Sequence, residues 1–300
     1  MNVFILSLSG YIYSTNRIFK EAKKRGHKVS IIDHTKCSIR LNNGKKEIIF
    51  EGDNIINEPD IIIPRIGTSV NKHGSTIVKE FEMNGVYSTA SSQGIACSHS
   101  KVQTLQLLND KKLPIPNTIY SVNKDNVSEQ IDFLGGAPLI IKIQDGTQGV
   151  GVMLAESKKS AKSIIDTFYG LHTSILLQEY IKESNSEDIR VFVVGDKVVS
   201  SMKRKGKDDD FRSNIHKGGS GVKANLTEEE QRIAVKAAHY LGLPVAGVDL
   251  IRSNRGPLVL EVNSTPGLQG IEAYTKINVA EEIIKYLEYK CSNKISKIKR

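Results

Sequence analysis

The sequence predicts an α/β protein: a small N-terminal domain with a parallel sheet, followed by further strands and helices that carry a glycine loop and a carboxylate-bearing hairpin. Three observations carry this. Strand-like runs at 3–8, 29–33 and 60–64 alternate with helical patterns, which implies parallel β-α-β packing. Residues 138–155 read as strand, glycine loop and strand, and residues 246–262 read as a hairpin carrying Asp249 and Glu261.

In chain order, Val-Phe-Ile-Leu-Ser-Leu at 3–8 is a strand, 15–25 a helix ending at Gly26, and 29–33 a second strand. A polar hairpin-like insertion at 38–52 precedes the strand 60–64. Residues 1–95 therefore form a Rossmann-like domain, but with no Gly-x-Gly-x-x-Gly turn to hold a dinucleotide. Arg65 follows a buried strand at its carboxyl end, where parallel sheets bind ligands, and is read as a contact for a substrate carboxylate.

Helical patterns at 75–84 and 98–110 flank a Ser/Thr-rich connection, which places a domain boundary near 88–97 and opens a central unit at 96–176. Lys101 opens the second helix. A strand at 117–121 and a helix at 124–134, stopped by Gly135-Gly136, lead to Lys142 on its strand and then to Gly146, Gly149 and Gly151. Glycines let backbone N–H groups approach phosphate oxygens while the lysine supplies a charge. No Gly-Lys-Ser/Thr opens a helix, so the loop is not a Walker A loop, and a mobile phosphate-covering flap is expected.

After a helix at 157–169, the third unit spans 177–300, its first strand reading from 175 to 181. A hairpin at 188–204 turns at Gly195-Asp196, and the loop 205–221 with Arg212 and His216 is too long and too charged to be packing. A helix at 227–241, the second hairpin and a closing helix at 278–290 complete the unit, ending in a basic tail at 294–300.

The second hairpin turns at Asn254-Arg255-Gly256, read as a three-residue loop. If Ser253 pairs with Pro257, Asp249 lies opposite Glu261, and the strand period of two puts Asn263 on the same face. Facing carboxylates among Val, Leu and Ile resist desolvation unless a cation or a proton separates them. A hard divalent ion is the simplest resolution, and magnesium would fill its other positions with water and phosphate oxygens. The alternative, a solvated hairpin face, is disfavoured by the continuation Glu261-Val-Asn-Ser-Thr-Pro-Gly267.

The chain has 300 residues, enough for two or three domains, and its apolar and charged fractions are those of a soluble globular protein. No run approaches membrane-spanning length, and a cytoplasmic location is expected. Cys37, Cys97 and Cys291 are too few and too scattered for a disulfide framework or a zinc site. The net charge of +9 permits attraction to nucleic acid, to the ribosome or to acidic substrates, and decides among none of them. No aromatic-basic stacking motif is present, so direct nucleic-acid binding is not expected.

The stretches Pro64-Arg-Ile-Gly-Thr68, Gly135-Gly-Ala-Pro-Leu139, Gly146-Thr-Gln-Gly149, Gln178-Glu-Tyr-Ile-Lys-Glu183, Asp210-Phe-Arg-Ser-Asn214, Ala246-Gly-Val-Asp249, Asn254-Arg-Gly-Pro257 and Glu261-Val-Asn263 resemble, in order and spacing, the RimK-type ATP-grasp glutamate ligases. The likeness covers nearly the whole chain; one departure is Ala96-Cys-Ser-His-Ser-Lys101, which lacks the Arg-Asp that usually precedes this lysine.

The resemblance implies an α/β fold of the ATP-grasp kind, with two ATP-grasp subdomains after the Rossmann-like domain. It implies that Lys101, Lys142, Gly146, Gln148 and Gly149 approach the phosphates of ATP, that Gln178, Glu179, Tyr180 and Ile181 border adenine, and that Asp188 meets the ribose. Arg212, Ser213 and Asn214 would belong to the nucleotide site, while Asp249, Glu261 and Asn263 would hold two Mg2+ or Mn2+ ions. Arg190, Arg204 and Arg212 would be catalytic, and Arg65, Arg204 and His216 would meet the substrates. The implied partners are L-glutamate and an acidic protein C-terminus, that of a small-subunit ribosomal protein, in a homo-oligomer that the family makes a tetramer. An amino-group carrier protein or a glutamylated cofactor is the alternative acceptor. A non-catalytic ATP-binding regulator of the same fold is the alternative of another class, and the intact Asp249, Glu261 and Asn263 weigh against it.

Overall fold

The computed structural model describes residues 1–122, 125–144, 151–206 and 220–298, with side chains described as far as 292 in the last helix. The N-terminal unit contains β1 (Asn2–Leu6), α1 (Tyr13–Lys24), β2 (Lys28–Ile32), β3 (Ser38–Asn42), β4 (Lys45–Phe50), β5 (Asp53–Asn54), β6 (Ile61–Pro64), α2 (Asn71–Met83) and β7 (Tyr87–Ser88). Its main sheet has the order β2-β1-β6-β7 with every pair parallel, as alternating strands and helices require. The polar insertion is a separate antiparallel sheet, β3-β4-β5, and Asn43-Gly44 turns its first hairpin with both residues at positive φ.

His34 is buried beside this sheet, and neither ring nitrogen has a hydrogen-bond partner among the described residues. Burial holds its pKa below the ordinary value, with Asp33 opposing and His73 adding to the effect. The unfolded chain therefore takes up a proton at this position before the folded one does. Stability should fall as pH drops below about 6.5, the unfolded value, and level off beneath the folded pKa. Thermal unfolding between pH 7.5 and 5 checks this, and His34→Leu should flatten the profile.

The expected helix at 98–110 is α4 (Lys101–Asp110), which opens at Lys101, and a further short helix, α3 (Ser92–Ser98), precedes it with a break at 99–100 between the two. The break has a local cause: Ser91 and Ser100 each cap a helix, their hydroxyls accepting from the backbone N–H of Gly94 and Gln103. The central sheet follows, with β8 (Thr118–Ser121), α5 (Val127–Phe133), β9 (Leu139–Ile143), β10 (Val152–Ala155), α6 (Lys158–Gly170) and β11 (Ile175–Glu179) in the antiparallel order β10-β9-β11-β8. β11 lies wholly in this sheet and runs across the boundary expected at 176–177. Period-two alternation sends Leu139, Ile141, Ile175 and Leu177 into a core with α5 and α6, which leaves Ile140, Lys142, Leu176 and Gln178 on the opposite face.

The C-terminal unit holds β12 (Glu187–Val194), β13 (Lys197–Lys205), β14 (Ser220–Lys223), α7 (Glu228–Tyr240), β15 (Val245–Ser253), β16 (Gly256–Asn263), α8 (Leu268–Thr275) and α9 (Val279–Ile298). Its antiparallel sheet has the order β14-β13-β12-β15-β16. One face places Val191, Val193, Val248 and Leu250 in a core shared with Phe4, Phe81, Ile95 and Leu108. The other places Phe192, Val194 and Met202 against α8, α9 and Ile18 of α1. The N- and C-terminal units thus form one body with α3 inside its core, whereas the central sheet has a core of its own.

Candidate active site

A cavity of about 560 Å³ lies between the free face of the central sheet and the α8-side face of the C-terminal sheet. Ile140, Lys142 and Gln178 come from the first sheet, and Asp188, Arg190, Arg204, Asp249, Glu261 and Asn263 from the second.

The hairpin that carries Asp249 differs from expectation in its turn. Ser253 pairs with Gly256 and Arg252 with Pro257, so the connection is the two residues Asn254-Arg255. The register then slips by one between Leu250↔Val259 and Asp249↔Glu261, a bulge at Leu260. Asp249 does oppose Glu261, but the bulge produces the pairing. Two successive residues, Leu260 and Glu261, consequently line the cavity.

A cation or a proton between the facing carboxylates is the relief expected for Asp249, and the structure adds two arginines that pair with it. Arg190 Nε donates to Asp249 Oδ1 and Arg190 Nη2 to Oδ2 at 2.7 Å, while Arg204 Nη2 lies 2.9 Å from Oδ2. Arg204 also donates from Nε and Nη2 to both oxygens of Asp188, at 2.6 and 2.7 Å. Each pair occupies directly opposed positions, Arg190↔Asp249 across β12 and β15 and Asp188↔Arg204 across β12 and β13. Two carboxylates and two guanidiniums make a neutral buried chain of bidentate bonds. Burial pushes the Asp249 carboxyl up, but the two arginines outweigh it and hold it below the usual carboxylate range. Burial works against the Arg204 charge as well, and the two aspartates more than offset it.

Glu261 is exposed to the cavity, and its carboxylate makes no hydrogen bond or ion pair among the described residues. Asn263 donates Nδ2 to Gly247 O at 3.3 Å, which leaves its side-chain oxygen as an acceptor. Among the described residues no three His, Cys, Asp or Glu side chains cluster as a metal cage. Two carboxylates and an amide oxygen on one wall nevertheless suit a hard divalent ion that takes its remaining ligands from phosphate and water.

Lys142 donates to Gln178 Oε1 at 2.6 Å, and Gln178 Nε2 donates to Thr118 Oγ1 at 2.9 Å. Burial pushes the Lys142 ammonium down to about 8, partly opposed by Glu261 and assisted by Lys101. Lys101 Nζ donates to the Gln144 carbonyl at 2.9 Å. Glu179 accepts from the Asn117 N–H at 2.6 Å and from the guanidinium of Arg255, while Tyr180 and Ile181 line the cavity beside it.

Arg65 is not part of the cavity lining. It is buried, its Nη2 donates to Pro266 O at 2.9 Å, and burial brings its pKa down to about 10. With Thr265 Oγ1 donating to Ile66 O, it ties the end of β6 to the turn after β16. Gly146, Gln148, Gly149, Arg212, Ser213, Asn214 and His216 lie outside the described residues.

Sequence reasoning missed Ile12, Tyr13 and Ser14, which bring the N-terminal unit to the cavity, and Gln269 on α8. Their only signal is tertiary. The apolar linings Ile140 and Ile251 were readable, since each alternates with residues of a packed face.

Two facing sheets, a buried lysine on one and a carboxylate-bearing wall on the other, define an ATP-dependent carboxylate–amine ligase of the ATP-grasp class, an enzyme that uses ATP with a divalent metal. The chain belongs to the RimK-like ATP-grasp family: residues 98–287 match the RimK-like ATP-grasp domain and residues 1–95 the RimK PreATP-grasp domain. It is 46% identical over 297 residues to a probable alpha-L-glutamate ligase of Aliivibrio fischeri, covering 99% of this chain and 98% of that one. It is 49% identical over 288 residues to probable alpha-L-glutamate ligase 1 of a Shewanella species, covering 96% and 95%. Among solved structures, the ATP-grasp ligase PsnB with a precursor variant, Mg and ADP matches with a TM-score of 0.76 at 18% identity, covering 97% of this chain and 98% of that one. D-alanine–D-alanine ligase of Bacillus anthracis with ATP matches with a TM-score of 0.68 at 16% identity, covering 100% of both. No helix among the described residues is long and apolar enough to cross a membrane.

Proposed function

We propose that this protein ligates L-glutamate to an acidic protein C-terminus, that of a small-subunit ribosomal protein, at the expense of ATP. The observation that carries the reading is the cavity itself, where Lys142, Arg190, Arg204, Asp249, Glu261 and Asn263 meet between two sheets. The names of the full-length relatives supply the amino acid.

In this reading the acceptor carboxylate attacks the γ-phosphate of ATP and ADP departs, leaving an acyl phosphate. The amine of glutamate then adds to the acyl carbon, loses a proton and expels phosphate as the amide forms. No protein nucleophile is required. Lys142 in the cavity wall, with Lys101 bonded to the Gln144 carbonyl, holds the phosphates, Glu179 and Ile181 border the base, and Arg190 and Arg204 meet the carboxylates of acceptor and glutamate. Asp249, Glu261 and Asn263 would hold Mg2+ or Mn2+, which when bound neutralises phosphate charge.

A lysine already pushed down to about 8 by burial binds phosphate only while protonated. Metal-free nucleotide affinity should therefore fall as pH rises through about 8 and beyond. Lys142→Met should lower affinity by about ten- to a hundredfold and remove that dependence, as loss of one charge-assisted bond would. Titration of a fluorescent ATP analogue from pH 7 to 9.5 checks both.

Incubation with ATP, magnesium, labelled glutamate and whole ribosomes tests the acceptor. Label in one small-subunit protein supports the reading. Label appearing only on a carrier protein or a cofactor in a cell extract would move the acceptor, and no label in any fraction would contradict glutamate ligation.

A further inference from the structure

The loop between β1 and α1 and the first residue of α1 expose four large apolar side chains within six residues: Leu8 at 44%, Tyr11 at 98%, Ile12 at 44% and Tyr13 at 42%. Ile12 and Tyr13 also line the cavity, so the exposed strip is continuous with the chamber that holds Arg190, Arg204 and Glu261.

The backbone beneath the strip is fixed. Ser9 Oγ accepts from the Tyr11 N–H at 3.1 Å, and Asn16 Nδ2 donates to Gly10 O at 3.2 Å. Ser14 Oγ accepts from the Leu268 N–H at 2.9 Å, and Tyr13 OH donates to Glu272 at 3.3 Å, which fastens the loop to α8. Glu272 is itself neutralised by Arg17 at 3.0 Å, so no free carboxylate opposes an acidic visitor there. Exposed aromatic groups on a pre-ordered backbone lose little entropy when they are covered, which is a property of binding surfaces.

We propose that this strip is the specificity surface for the acceptor chain. It takes an apolar or aromatic side chain a few residues before the acceptor's acidic terminus while that terminus enters the cavity. The occupant follows from two features. In the ligase reading the cavity receives a chain end beside Lys142, Arg190 and Arg204, and a polypeptide whose end is inside leaves past Ile12 and Tyr13, which line the cavity and are also partly exposed, next in the chain to the almost fully exposed Tyr11. The inference rests on the ligase reading above and adds the feature that distinguishes one acidic chain end from another.

The test uses the full-length protein and peptides that end in glutamate, with a single Phe moved one position at a time away from the terminus and a Ser series as control. Binding is read by fluorescence anisotropy with ATP and magnesium and without free glutamate, and turnover by glutamate incorporation. One Phe position should bind about tenfold tighter than its Ser control, the gain expected when an aromatic side chain is covered. Tyr11→Ser and Leu8→Ser, at two exposed positions outside the cavity lining, should remove that gain, raising KM for the Phe peptide about tenfold with kcat and the KM for glutamate within twofold. Tyr11 is almost fully exposed, so its substitution leaves folding intact. Equal use of Phe and Ser peptides, or Phe selectivity that survives in both variants, would overturn the strip. Strip-dependent binding without glutamate incorporation would keep the strip and refute the ligase reading, and neither binding nor incorporation would refute both.

Discussion

Arg204→Leu is expected to destabilise the protein by about 3–5 kcal/mol at neutral pH, because it takes from two buried carboxylates a cation that pairs with both. Asp188 loses both of its bonds to Arg204, and Asp249 keeps only Arg190. Leucine is close in volume to the buried part of the arginine, so the loss is electrostatic rather than a cavity effect. The pH dependence gives the test its sign. In the wild type, Asp249 is held below its unfolded pKa, so its contribution is present above about 3.9 and is lost as pH falls through the folded value. In the variant, desolvation dominates and favours the neutral carboxyl, so acidification from pH 7.5 to 5 should recover part of the deficit. Urea unfolding of both proteins at both pH values measures this. A deficit below about 1 kcal/mol, with parallel pH profiles, would show that the four-residue chain is not what neutralises Asp249.

Glu261→Gln should do the opposite, abolishing turnover while sparing the fold. Glu261 is exposed and makes no hydrogen bond or ion pair among the described residues, so unfolding free energy should change by no more than about 0.5 kcal/mol. Its charge matters most when a divalent ion and phosphates share the cavity. Loss of several kcal/mol of charge stabilisation corresponds to a fall in kcat of about a thousandfold or more. Metal-free nucleotide affinity should hold, and the increase that magnesium adds should disappear. Calorimetric titration with and without magnesium, beside steady-state kinetics, separates the two effects. Turnover within about tenfold of wild type would remove Glu261 from the metal-binding wall.

Much of this architecture was legible because hydrophobic periodicity is local. The strands near 3–8, 29–33 and 60–64, the hairpin turning at Gly195-Asp196 and the helix at 227–241 stand within a few residues of the elements observed. The short strands β5, β7 and β14, of two to four residues, carry too little pattern to show periodicity. α8 was hidden because Pro266-Gly267-Leu268-Gln269-Gly270 reads as turn, and what holds it is burial of Leu268 and Ile271 together with a bond from Ser14, far away in the chain. The division at 176–177 fell inside β11 because the Gln178-Glu179 motif drew attention away from the packing of Ile175 and Leu177. At the site, the type of chemistry was readable from Lys142, Asp249, Glu261 and Asn263. The pairing among charges was not. Nothing local shows that β12 sets Arg190 opposite Asp249 or that β13 sets Arg204 opposite Asp188.

The most direct measurement follows ADP release and product mass together, with purified protein, ATP, magnesium, glutamate and a peptide ending in glutamate. The account predicts one ADP for each amide bond, a peptide lengthened by whole glutamate residues, dependence on both glutamate and the metal, and no product from Glu261→Gln. Saturable ATP binding without ADP release under any combination of glutamate and acceptor would contradict it, and would mark the cavity as a nucleotide sensor instead of a ligase site.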